Sequence, residues 1–178
     1  MKKITAENYF KPDAIIKDFG VVNFETGEQW TITEVDILNY VDRIKIDEKV
    51  PDDIKELIEV SKALYAYGYL YWTFFTLSQE QTYKAFEASI SIAHKTVYGS
   101  NYSTRGNKRL QLSDMIQRLI NREIIPHENK AKYDAIRGLR NMSFHPSMQS
   151  QWGLIAYDTV FQIVGEINKL FQSLEKNN

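Results

Sequence analysis

Leu64-Tyr65-Ala66-Tyr67-Gly68-Tyr69-Leu70-Tyr71-Trp72-Thr73-Phe74-Phe75 is the segment that separates a helical chain from a β chain. Its tyrosines at 65, 67, 69 and 71 alternate with period two, the spacing of a strand. Both flanks argue the other way. Upstream, Pro51-Asp52-Asp53 marks a helix start, because proline is tolerated in a first turn and acids suit the positive end of the helix dipole. Ile54, Leu57, Ile58 and Ser61 continue one face of that helix. Downstream, Leu77, Gln81, Ala85, Ala88 and Ile92 carry helical spacing toward His94, and Tyr98-Gly99 stops it. The sequence therefore predicts helix through 64–75. A helix this apolar all round fills the core or sits at an interface. Gly68 inside it marks a kink or a close packing contact.

The rest of the chain agrees with an all-α class. Leu112, Met115, Ile116, Leu119 and Ile120 form a short amphipathic helix stopped before Pro126. Tyr133, Ile136 and Leu139 line a helix from Lys130 to about Met142. A last helix runs from about Trp152, with Ile155, Thr159, Val160, Ile163, Ile167, Leu170 and Leu174 in register. Nearer the N-terminus, Thr33 reads as an N-cap with Asp36 in the first turn, and Val35, Leu38, Val41 and Ile44 follow at helical spacing. Gly27, between Val21-Val22-Asn23-Phe24 and Gln29-Trp30-Thr31-Ile32, stands where a hairpin needs a positive φ, so residues 1–30 hold a short hairpin or an irregular arm. With only 8 Gly and 4 Pro in 178 residues, turn formers are scarce. We expect one domain over 1–178, an up-and-down helical bundle with its core in 51–178 and an N-terminal extension over 1–50.

Composition narrows the function. The chain has no Cys, which excludes disulfide scaffolds, zinc ribbons, iron–sulfur clusters and thiol nucleophiles. Its three histidines, His94, His127 and His145, show no metal-ligand spacing, and no cofactor or metal is expected. His94 and His127 read as ordinary loop or helix-end residues. No signal peptide and no apolar run of membrane length is present, so a cytoplasmic protein is expected. Net charge is −1, but unevenly spread. Residues 1–93 carry 10 Lys/Arg against 16 Asp/Glu, and residues 94–145 carry 10 against 4. A basic segment in a neutral chain is a candidate phosphate surface, or a solvated face whose charges pair with the acidic part.

Within that segment lies Arg140-Asn141-Met142-Ser143-Phe144-His145, followed by Pro146. It reads Arg-Asn-x-x-x-His at the end of one helix and before the last. On these residues the chain resembles the HEPN superfamily, α-helical domains with an Arg-x(4 to 6)-His motif and commonly Asn, Asp or His after the Arg. The resemblance covers about residues 52–175. It implies a metal-independent endoribonuclease, of a kind often found in toxin–antitoxin and phage-defence systems. Arg140 and His145 would be catalytic, with Asn141 assisting. It also implies a homodimer in which two motifs share one cleft, RNA as the substrate, and an antitoxin protein as a possible further partner.

The residue types suit this chemistry. A histidine with a pKa near 6.5 transfers protons in either direction, and an arginine grips phosphate oxygens through paired N–H donors. On an unbroken helix, positions five apart would stand about 140° from one another, so Arg140 and His145 converge only if the helix ends between them. Pro146 favours such a break. The bland alternative is a helix-end arginine and a histidine capping the last carbonyls. Arg122-Glu123-Ile124-Ile125-Pro126-His127 also fits the bare spacing, but Glu123 opposes a phosphate there.

Around the motif, Arg105, Lys108 and Arg109 stand in a polar loop with Tyr98 and Tyr102 nearby. Arg137 lies one turn before Arg140, and Arg118 and Arg122 are an i, i+4 pair. Basic residues tracking a backbone, with aromatics to stack on bases, suit single-stranded RNA; a solvated loop is the alternative. We take Arg137, Arg105, Lys108, Arg109 and Tyr102 as candidate RNA-binding residues. A non-catalytic module that binds RNA, a nucleotide or a protein remains the rival to catalysis.

Overall fold

The computed structural model describes residues 2–103, 108–143 and 153–176. It is mostly helical, with one two-stranded hairpin. The hairpin pairs β1 (Gly20–Val22) with β2 (Gln29–Thr31), antiparallel, with Val21 opposite Trp30. Six helices follow: α1 (Glu34–Arg43), α2 (Asp52–Tyr67), α3 (Thr73–Tyr98), α4 (Leu112–Asn121), α5 (Lys130–Ser143) and α6 (Ala156–Lys176). Gly27 has φ +76°, as its turn requires. Thr33 caps α1 through a reciprocal box with Asp36.

The aromatic segment does not continue one helix. α2 ends at Tyr67, residues 68–72 turn the chain, and α3 starts at Thr73 and runs back along α2. Two features make the reversal. Gly68 lies under the Phe75 ring, which would come within 2.5 Å of a Cβ placed there, so only glycine lets that ring close over the corner. The Asp13 carboxylate accepts from Trp72 N at 3.0 Å, while Asp13 N donates to Tyr69 O at 2.9 Å. An N-terminal residue thus supplies hydrogen bonds that an unbroken helix would have made internally. The resulting α2–α3 hairpin closes over small polar side chains. Ser61 Oγ donates to Ser78 O at 2.8 Å and lies 2.6 Å from Thr82 Oγ1.

α3 is the central helix, packed by α2, α4, α5 and α6. The main core draws Ile54 and Ile58 of α2, Phe86 and Ile90 of α3, Leu119 of α4, Tyr133 of α5, and Ile163 and Ile167 of α6. Ile44 and Val50 belong to the same core. A second cluster joins Ile16, Ile32 and Ile37 to Tyr65, Phe75 and Ala156. Residues before 51 therefore complete the apolar packing of α2 and α3. In α1 the inward residues are Ile37 and, at the cap, Ile44, while Val35 and Leu38 face solvent, contrary to the expected face. Ile155, expected in the inner register of the last helix, lies in a 3-10 turn over Gly153–Ile155 and is exposed. No described helix is long and apolar enough to cross a membrane.

Candidate functional site

The end of α5 builds the site. Tyr133 and Ile136 anchor the inner face of this helix, which leaves Arg137, Arg140 and Asn141 on the side toward α4. α3 adds Glu87 from below. Gly99, at φ +74°, ends α3 and starts the loop that returns to α4. That loop is tied to α3 by Asn101, whose Nδ2 donates to Ser91 O at 3.1 Å and to Ser91 Oγ at 2.8 Å. Its two sides then pair across the bridge of Tyr102 with Arg109, and Ser103 N donates to Lys108 O at 2.8 Å. Arg109 is thereby delivered to the mouth of α4.

These elements enclose a cleft of about 360 Å³ whose polar lining includes Glu87, Arg109, Ser113, Arg137, Arg140 and Asn141. Arg140 Nη2 donates to Glu87 Oε2 at 2.7 Å, and its Nη1 donates to Asn141 Oδ1 at 3.1 Å. Arg137 holds Asp134 loosely, at 3.7 Å, and its Nε–H is buried with no acceptor among the described residues. The first turn of α4, closed by a capping box between Gln111 and Asp114, opens on the same space. Three guanidiniums, those of Arg109, Arg137 and Arg140, therefore line this cleft together with the carboxylate of Glu87.

The structure thus brings Arg109, Arg137, Arg140 and Asn141 into one cleft. The described residues of α5 run to Ser143, and the helix break expected between Arg140 and His145 falls outside the described residues. His145 and Arg105 lie outside the described residues. Lys108 and Tyr102 are exposed on the loop and are not among the cleft's lining residues. Arg118 and Arg122 do not join it either. Their guanidiniums sit over the Tyr98 ring, at 5.8 and 5.6 Å from its centroid, and Tyr98 Oη donates to Arg118 O at 3.0 Å. His127 begins a short 3-10 turn at the N-terminal end of α5, away from the cleft.

His94 is not a loop or helix-end residue. It is fully buried in α3, stacked on Tyr98 with ring centroids 4.6 Å apart. Its Nδ1 lies 3.0 Å from Asn101 Oδ1, which assigns the proton to Nδ1 because the amide oxygen can only accept. Its Nε2 is buried and has no hydrogen-bond partner among the described residues. His94 therefore braces the base of the loop that carries Arg109. Sequence reading also missed Glu87. Nothing local marks it, since a lone glutamate on a long helix is ordinary until α5 is laid across it. The chain matches no protein-family model, no curated protein and no solved structure.

Proposed function

We propose that the protein is a metal-independent endoribonuclease of HEPN type, acting as a homodimer on single-stranded RNA. The observation that carries this reading is the meeting of Arg109, Arg137, Arg140 and Asn141 in one cleft at the end of α5, where the sequence motif stands. In the reaction, the 2′-hydroxyl loses its proton and attacks the adjacent phosphorus, and the 5′-oxygen leaves with a proton. The products are a 2′,3′-cyclic phosphate and a 5′-hydroxyl. Arg140 holds the non-bridging oxygens and stabilises the charge of the phosphorane. Asn141 orients Arg140 through its amide oxygen. His145 moves protons, and a second copy supplies the second histidine. Arg109 and Arg137 hold neighbouring phosphates.

One observation favours a second reading. Arg140 is already ion-paired with Glu87, as in a helix-end arginine of structural use, and this supports a non-catalytic module that binds RNA. Purified wild type and His145→Ala, incubated with single-stranded RNA and excess chelator, separate the two. The endonuclease reading expects cyclic-phosphate ends from wild type alone. RNA binding with no cleavage by wild type would establish the second.

A further inference from the structure

Among the described residues, no strand pairs with the outer edge of β1, which lies over an aromatic cleft. Asn23 N donates to Glu28 O at 2.9 Å and Ile32 N to Phe19 O at 3.3 Å, so the hydrogen-bonded pairs are 19 with 32, 21 with 30 and 23 with 28. Gly20 and Val22 alternate with these, and their N–H and C=O groups point away from β2. The side they point to is not bare solvent. A cleft of about 450 Å³ is lined by all three residues of β1 and by none of β2. Its far wall comes from α1, the start of α6 and the 3-10 turn before it: Tyr40 and Tyr157, with ring centroids 4.9 Å apart, and Ile155, 66 % exposed. Tyr65 forms the floor, fixed by its hydroxyl donating to Leu154 O at 3.0 Å. Phe24, 97 % exposed on the hairpin turn, stands at the rim with Asp158.

We propose that this edge docks an extended, basic segment of a partner protein as a third strand beside β1. Two features choose that occupant. An unpaired strand edge beside a pocket for alternate side chains is the geometry of strand addition, with the ladder giving affinity and the pocket giving specificity. The charge then selects the sign. Between positions 14 and 45, Lys17, Arg43 and Lys45 stand against Asp18, Glu25, Glu28, Glu34, Asp36 and Asp42; Arg43 is drawn onto the Tyr40 ring, 5.8 Å from its centroid, and Asp158 lies in the cleft itself. The partner segment carries an aromatic or branched apolar residue for the tyrosine cleft and lysines or arginines at the flanking positions. The inference rests on the hairpin and is independent of the ribonuclease reading.

The test uses the full chain and two synthetic peptides, acetyl-Lys-Val-Lys-Tyr-Lys-Val-Lys-amide and its counterpart with Glu for each Lys. Proton–nitrogen correlation spectra of labelled protein should show saturable shifts at the Gly20 and Val22 amides with the basic peptide, and none with the acidic one. Those two amides should also become protected from hydrogen exchange. Val22→Pro removes an outward N–H without touching the internal ladder, and should weaken binding at least about tenfold. Gln29→Pro makes the same change on the opposite edge and should leave binding as it was. Asp158→Asn, which changes no backbone group, should weaken the basic peptide several-fold and serves if Val22→Pro fails to fold. RNA cleavage should be the same in all three variants.

Four results with the peptides and variants overturn the proposal. These are no saturable shift up to about 1 mM peptide, equal binding of the acidic peptide, loss of binding in Gln29→Pro, or no change in both Val22→Pro and Asp158→Asn. Concentration-dependent shifts at Gly20 and Val22 without peptide would make the occupant a second copy of this chain, which also overturns it.

Discussion

The guanidinium of Arg140, on α5, is held by the carboxylate of Glu87, on α3, at 2.7 Å. The two residues are 53 positions apart in sequence, and each side chain is more than a third exposed. A half-exposed pair of this kind contributes little to stability, about 1 kcal/mol at most. Its consequence is for binding, because a phosphate entering the cleft competes with Glu87 for the same donors. Glu87→Gln should therefore raise RNA affinity several-fold in fluorescence anisotropy while leaving the melting temperature within a few degrees. Unchanged or weaker binding would show that Glu87 does not compete with the phosphate.

Arg109 and Arg137 should act through phosphates alone. The double replacement Arg109→Ala with Arg137→Ala should weaken binding alike across RNA sequences. It should also flatten the salt dependence, by about 0.7 in log–log slope for each phosphate no longer neutralised. The control is Arg122→Ala, since Arg122 stacks on Tyr98 outside the cleft. It should keep both the slope and most of the activity, whereas Arg140→Ala should abolish cleavage.

The α2–α3 corner should not tolerate a methyl group. In Gly68→Ala the new Cβ would meet the Phe75 ring at 2.5 Å, and that ring is itself buried against Tyr65 and Trp72. Overpacking of this kind costs about 1–3 kcal/mol. Urea denaturation should show that loss as a lower midpoint with an unchanged slope. Gly138→Ala is the internal comparison, because no atom lies within 4 Å of a Cβ built there. In the middle of α5 it should be neutral or stabilising.

Alkaline pH should unfold the protein through its buried tyrosines. Burial pushes the phenols of Tyr65 and Tyr133 far above their usual value, and that of Tyr83 up to about 12, with Gln79 partly opposing the rise. The folded-state value exceeds the unfolded one, near 10, so each phenol's contribution is complete below pH about 10 and is lost as pH rises beyond it. Titration followed by phenolate absorbance should show a late group of tyrosines ionising together with loss of helical circular dichroism. Smooth titration of all 11 tyrosines before any loss of helix would contradict the burial.

Sequence alone determined what depends on neighbouring residues. Thr33 and Asp36 cap α1, Gly27 turns the hairpin, Gly99 stops α3, and the 3.6-residue period of Met115, Ile116, Leu119 and Ile120 makes α4 amphipathic. Arg140 in the last described turn of α5 was legible for the same reason, since its motif is a run of neighbouring residues. What only the tertiary structure decided involves residues far apart. The break at 68–72 depends on Asp13 and on the Phe75 ring, and Asp13 stands 59 positions before the Trp72 amide it accepts from. His94 looked like a helix end because its role is to hold Asn101 under a loop, and a period-counting argument sees only the helix. Arg109, already a candidate in the sequence, shares a cleft with Glu87 because α4 and α5 cross α3, and the Tyr98 ring holds Arg118 and Arg122 outside that cleft. Local chemistry fixes where α1 begins and where α3 ends, but not where α2 gives way to α3. Which side chains share a cleft follows from how the helices bury their apolar faces together, a property of the whole core.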